Sequence, residues 1–174
     1  MTNRKLRLAV VLLLVFLAGG FRQAEWPKFK STDENFSISM PSEPKQERNS
    51  RRGPFGNGHH IYSLESNGIS YTVSNSVFET PPAQPKDIKR ILDLARDLVL
   101  TVTGGKLLSD KEISLDSFPG REVRIEKDKR IWTLHAYIVK GRMYQLMTTE
   151  PKAKEQSPDT TKFFDSFKLL APPE

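Results

Sequence analysis

Apolar residues recur along this chain in two rhythms, one helical and one alternating. From Lys86 to Thr103, Ile88, Ile91, Leu92, Ala95, Leu98, Val99 and Val102 recur at helical spacing. That spacing predicts one amphipathic helix, with Lys89, Arg90, Asp93, Arg96 and Asp97 facing away. Pro81, Pro82 and Pro85 bar an earlier start, and Gly104-Gly105 offers a left-handed stop. Most of the remaining chain has period two. Asn35 to Met40 sets Phe36, Ile38 and Met40 against Asn35, Ser37 and Ser39, and Pro41 ends the strand. Lys45 to Asn49 reads as a polar edge strand. His59 to Glu65 and Ile69 to Phe78 form a hairpin across Ser66-Asn67-Gly68. Lys106 to Leu115 carries Leu107, Leu108, Ile113 and Leu115 around a charged middle that reads as a turn or bulge.

Arg121 to Lys127, Arg130 to Val139 and Arg142 to Thr149 follow as a meander, turning at Asp128-Lys129 and Lys140-Gly141. The middle strand is apolar on both faces, with Trp132, Leu134, Ala136 and Ile138 opposite Ile131, Tyr137 and Val139. It therefore needs cover on both sides. Glu150 to Gln156 reads as a charged loop. Ser157-Pro158-Asp159 then starts a short helix anchored by Phe163, Phe164 and Phe167. Together these elements predict an α+β fold, an antiparallel sheet of about six to eight strands with helices on both faces.

The first twenty residues stand apart. Arg4, Lys5 and Arg7 precede the apolar run Leu8 to Leu17, and Ala18-Gly19-Gly20 follows it. This is the tripartite pattern of a secretory signal, too short for the roughly 20 residues that cross a bilayer. The expected organisation is a signal peptide over 1–20, a lead-in over 21–34 with Trp26 and Phe29 as its buried groups, and a single domain over 35–171. The alternative is an uncleaved N-terminal segment that holds the protein at the membrane. Export places the protein in the periplasm or outside the cell, with no stable transmembrane span after cleavage.

Charge changes the picture once the signal is set aside. The 174 residues carry 27 Lys/Arg and 21 Asp/Glu, for a net charge of +6. Residues 1–20 contain three Lys/Arg and no acid, so the remainder carries +3. That balance argues against a nucleic-acid partner. The chain has no Cys, which removes disulfides, thiol catalysis and Cys-bound metals.

With the elements in place, three stretches resemble the PsbP/DcrB-like group of small exported domains. They are Phe36-Ser37-Ile38-Ser39-Met40-Pro41; Gly104-Gly105-Lys106 followed by Phe118-Pro119-Gly120-Arg121-Glu122; and Met143-Tyr144-Gln145-Leu146 with Ser166-Phe167-Lys168-Leu169-Leu170. The resemblance spans about Phe36 to Leu170. It implies a three-layer α/β/α sandwich and an accessory role without catalysis. Many bacterial members are lipoproteins, and this chain lacks their anchoring Cys. The resemblance carries no binding residue to any position here.

Candidate chemistry is sparse, and no cofactor or metal is expected. His59 and His60 are adjacent, so on a strand they point to opposite faces and do not share a metal. His135 beside Tyr137 on a doubly apolar strand fits a hydrogen-bonded interior group, and a general base is the alternative. Gly104-Gly105-Lys106 follows a helix, where the dipole repels phosphate. Lys45, Arg48, Arg51, Arg52 and His59 form the one local basic concentration, a solvated tip or a patch for an anionic partner. Three roles remain: a binding or accessory module of the cell envelope, partnered by an envelope protein or another anionic surface; a small-ligand binder between helix and sheet, lined by Tyr62, Tyr71, Trp132 or Tyr144; or a hydrolase using His135 or His59/His60.

Overall fold

The computed structural model describes residues 25–49 and 53–170. Two antiparallel sheets and two helices build it. The strands are β1 (Lys28–Ser31), β2 (Phe36–Ser39), β3 (Lys45–Asn49), β4 (Asn57–Ser66), β5 (Ile69–Val77), β6 (Lys106–Leu115), β7 (Phe118–Lys127), β8 (Arg130–Val139), β9 (Arg142–Pro151) and β10 (Lys168–Leu169). The helices are α1 (Pro85–Thr103) and α2 (Pro158–Asp165). The large sheet runs β3-β4-β5-β9-β8-β7-β6, and a small sheet runs β1-β2-β10.

The hairpin turns run through positive φ, eased by Asn, Asp or Gly at one position of each. Asn67-Gly68, Asp128-Lys129 and Lys140-Gly141 all have positive φ at both positions, the conformation that matches strand twist in two-residue hairpins. α1 begins with Pro85 in its first turn and ends at Gly104, whose φ is 58° and whose N–H bonds Leu100 O at 2.8 Å. Gly105 serves a separate need. A Cβ there would lie 2.4 Å from Ile125 Cγ2 and 2.8 Å from Glu126 O. The first glycine stops the helix and the second lets the chain pass against β7.

Each face of the large sheet carries its own core. α1 covers one face, burying Leu92 and Ala95 against Val123, Ile125, Leu134, Ala136 and Ile138. The other face is covered by α2 together with the small sheet. Phe36, Ile38 and Met40 pack there with Tyr62, Tyr71, Tyr144, Phe163 and Phe167. β8 serves both cores, as its two apolar faces require.

Four local expectations need correction. The irregularity in β6 falls between Leu107 and Ser109, ahead of the charged residues, and the strand runs unbroken to Leu115. The lead-in contains a strand, β1, paired along its full length with β2. Glu150 belongs to β9 and is 1% exposed, because its carboxylate takes hydrogen bonds from Gln156 N, Ser157 N and Thr160 Oγ1 at the start of α2. Finally, Asp93 and Arg96 do not face away; both are half-buried and meet a charge on the sheet.

Candidate functional site

The basic tip divides between two faces. In the β3–β4 register Arg48 lies opposite His60 and Asn49 opposite His59. Strand alternation therefore puts Lys45 and His59 on one face and Arg48 and His60 on the other. Arg51 and Arg52 lie outside the described residues. Arg48 meets Asp33 at 3.4 Å, both largely in solvent. Burial and the neighbouring His60 push the His59 pKa down.

His60 turns inward to the most heavily bonded carboxylate in the small-sheet interface. Glu34 sits in the β1–β2 turn, just before Asn35 at φ 55°, and is 4% exposed. Its carboxylate meets Arg142 Nη1 at 2.7 Å, His60 Nδ1, and Asn75 Nδ2. Tyr144 donates its hydroxyl to the Glu34 carbonyl at 2.7 Å. β4, β5 and β9 thus each send a side chain to one turn of the small sheet. The sequence offers no signal for this, since Glu34 lies in a short polar stretch between strands.

His135 occupies a second enclosure, on the same face. Its Nε2 lies 3.2 Å from Glu122 Oε2 and its Nδ1 lies 3.3 Å from the Tyr137 hydroxyl. The ring stacks on Phe164 at 3.9 Å between centroids. With Nε2–H donating to Glu122, the free Nδ1 accepts from Tyr137, so a neutral ring satisfies every group. Burial pushes the His135 pKa down, opposed by the Glu122 charge and hydrogen bond. Burial also pushes Tyr137 up to about 12, reinforced by Glu122 and Asp165.

On the α1 face, Arg121 is 5% exposed and meets Asp93 at 2.8 Å and Asp110 at 3.0 Å. Arg96 joins the same acids and also holds Asp97. Burial acts to raise the Asp93 pKa, but the Lys89 hydrogen bond and the Arg121, Lys89 and Arg96 charges outweigh it and hold it low. The network ties α1 to β6 and β7. Beside it, a hollow of about 280 Å³ opens between the first turns of α1 and the β6–β7 hairpin, lined mainly by Ile88, Leu92, Ile113 and Pro119 with Arg121 at its wall. Tyr62, Tyr71 and Tyr144 do not line it; they are buried in the aromatic core on the opposite face, and Trp132 packs with the α1 cluster. Among the described residues no group of three or more His, Asp or Glu is placed to hold a metal ion.

The architecture has a counterpart among solved structures. The chain superposes on the solution structure of cyanobacterial PsbP (CyanoP) from Synechocystis sp. PCC 6803 with a TM-score of 0.60, covering 88% of this chain and 97% of that one. The fold is PsbP-like. Sequence identity is 11%, so the likeness lies in the fold. A crystal structure from Bacteroides thetaiotaomicron VPI-5482 is 14% identical over 86% of this chain and 50% of its own, at a looser TM-score of 0.49. No protein-family model and no curated protein sequence matches the chain. The predicted strands and helices occur in the predicted order, with β1 and β10 added, and no described helix is long and apolar enough to cross a membrane.

Proposed function

We propose that this chain is an exported, non-enzymatic binding or accessory domain of the bacterial cell envelope. The enclosure of His135 carries the reading. Both ring nitrogens are engaged within the fold, one ring face is covered by Phe164, and Tyr137 is shifted away from the ionised form a nucleophile needs. His60 faces the buried Glu34 carboxylate. The PsbP-like fold and the signal-like N-terminus support the accessory role and the export. The test is a panel of ester, phosphoester and glycoside substrates offered to the wild type and to His135→Ala. No turnover above buffer is expected from either. Turnover in the wild type that His135→Ala abolishes would overturn the proposal in favour of a hydrolase.

The hollow beside Arg121 supports a second reading, a binder of a small apolar molecule between α1 and the sheet. Its volume of about 280 Å³ lies just below the usual range of ligand sites, which suits a small molecule. Saturable binding of an apolar fluorophore that Ile113→Trp blocks would favour this reading; weak binding unchanged by Ile113→Trp would count against it.

A further inference from the structure

The small sheet has two unlike faces. Phe29, Phe36, Ile38 and Leu169 point to the aromatic core. Alternation places Lys28 and Lys30 of β1, Ser37 and Ser39 of β2, and Lys168 of β10 on the opposite face. The register makes these residues neighbours: Lys28 lies opposite Ser39, while Lys30 and Lys168 both lie opposite Ser37, one from each side. All three lysines are exposed, and none has an ion pair with a described residue. Ser37 is 1% exposed, with its hydroxyl unpartnered among the described residues. No acid and no large apolar side chain stands on this face of the three strands.

We propose that the outer face of the small sheet docks on a bilayer bearing anionic phospholipid headgroups, with Lys28, Lys30 and Lys168 as the contacts. The proposal rests on the reading of an exported envelope domain. Two strand spacings separate Lys30 from Lys168, roughly 10 Å, and two residue steps along β1 separate Lys28 from Lys30, roughly 7 Å. Three cations on one face with small residues between them match a surface of repeated negative charge. A protein partner would instead be anchored by buried aromatic or aliphatic groups, and this face supplies none. The position of the face in the chain agrees. Ten residues separate the apolar run ending at Leu17 from Lys28, a tether of at most roughly 40 Å. Until the signal is cleaved, that run holds the lysine face within reach of the headgroups; after cleavage the three lysines are the contacts that keep it there.

The test measures partition of the full chain onto phosphatidylcholine vesicles with and without phosphatidylglycerol. Any insertion of the apolar N-terminal run is common to both, so the ratio isolates the charge contribution. Juxtamembrane lysines each strengthen attachment to an anionic surface about fivefold, so three give a preference on the order of a hundredfold at low salt, falling at high salt. The triple variant Lys28→Ser, Lys30→Ser, Lys168→Ser is expected to lose at least tenfold of that preference. Lys86→Ser, Lys106→Ser, Lys129→Ser removes the same charge elsewhere and is expected to keep most of it. Equal loss in both variants would show attraction governed by net charge alone and overturn the assigned face. An undiminished preference in the first variant would also overturn it, as would a wild type indifferent to phosphatidylglycerol. Failure on vesicles leaves export intact, because export is read separately by fractionation. Cross-linking of this face to an acidic protein in place of lipid would overturn the proposal as well.

Discussion

The Glu34 cluster gives the clearest quantitative test of how the two sheets are joined. Replacing Arg142 with Met keeps most of the aliphatic stem but removes the guanidinium 2.7 Å from Glu34. Glu34 would then remain 4% exposed with His60 and Asn75 as its remaining side-chain partners. Stranding one member of a buried ion pair costs about 3–5 kcal/mol. Arg142 retains 28% side-chain exposure, which reduces the contribution of the pair, so a loss near the lower bound, about 3 kcal/mol, is expected. Glu34→Gln should cost less, because the uncharged amide needs less solvation and Arg142 can turn to water. In the double variant the losses should fall short of their sum by about 1–3 kcal/mol, the mark of direct coupling. Urea unfolding followed by circular dichroism measures all three, with the slope reporting whether the small sheet detaches before the rest. A loss below about 1 kcal/mol for Arg142→Met, with additivity in the cycle, would refute the claim that this contact clamps the sheets.

Three further outcomes follow from the packing and titration. Leu92→Ala should cost about 2–5 kcal/mol, since α1 buries Leu92 against the sheet, while half-buried Leu98→Ala should cost less; equal, near-zero losses would mean α1 does not seal that face. Gly120→Ala should destabilise more than an ordinary surface change, because its Cβ would fall 2.4 Å from Tyr137 Cδ1 and 2.7 Å from Ala136 O; a neutral result in thermal unfolding would contradict the close approach of Tyr137. His135 has its folded-state pKa below the unfolded value, so it binds protons less readily when folded. Its contribution is fully present above pH of about 6.5 and is lost as pH falls from there through the lowered native value. Urea stability at neutral and mildly acidic pH should therefore fall less steeply in His135→Gln than in the wild type, and an unchanged slope would contradict the buried neutral ring.

The fold was largely legible from periodicity, because its long elements each bury one stripe. α1 differs from expectation by one residue at its start, and the doubly apolar Arg130 to Val139 signalled cover on both sides. β1 was not legible: Lys-Phe-Lys-Ser offers a single apolar residue, too little to show a period. The weight given to α1 also shifts. The richer aromatic core lies on the opposite face, where Phe163 of α2 meets Tyr71 of the large sheet and Phe167, just past the helix, meets Phe36 of the small one.

The polar networks were less legible, for a physical reason. Asp93 and Arg96 occupy positions that a helical wheel assigns to solvent, yet Arg121 of β7 reaches Asp93 and Asp110 of β6 reaches Arg96. Such a contact depends on how far apart helix and sheet stand, which no local pattern encodes. Glu34 and Glu150 were hidden in the same way, as acids in short polar stretches that tertiary packing encloses. The basic tip shows the reverse case: cations close in sequence are parted by strand alternation.

Export is the claim on which the proposed role depends most, and one measurement reads it directly. The full chain, carrying a C-terminal tag, would be expressed in a Gram-negative host, fractionated by osmotic shock, and sequenced from its mature N-terminus. The account predicts a periplasmic protein beginning at Phe21. A cytoplasmic protein that retains its first twenty residues would contradict it.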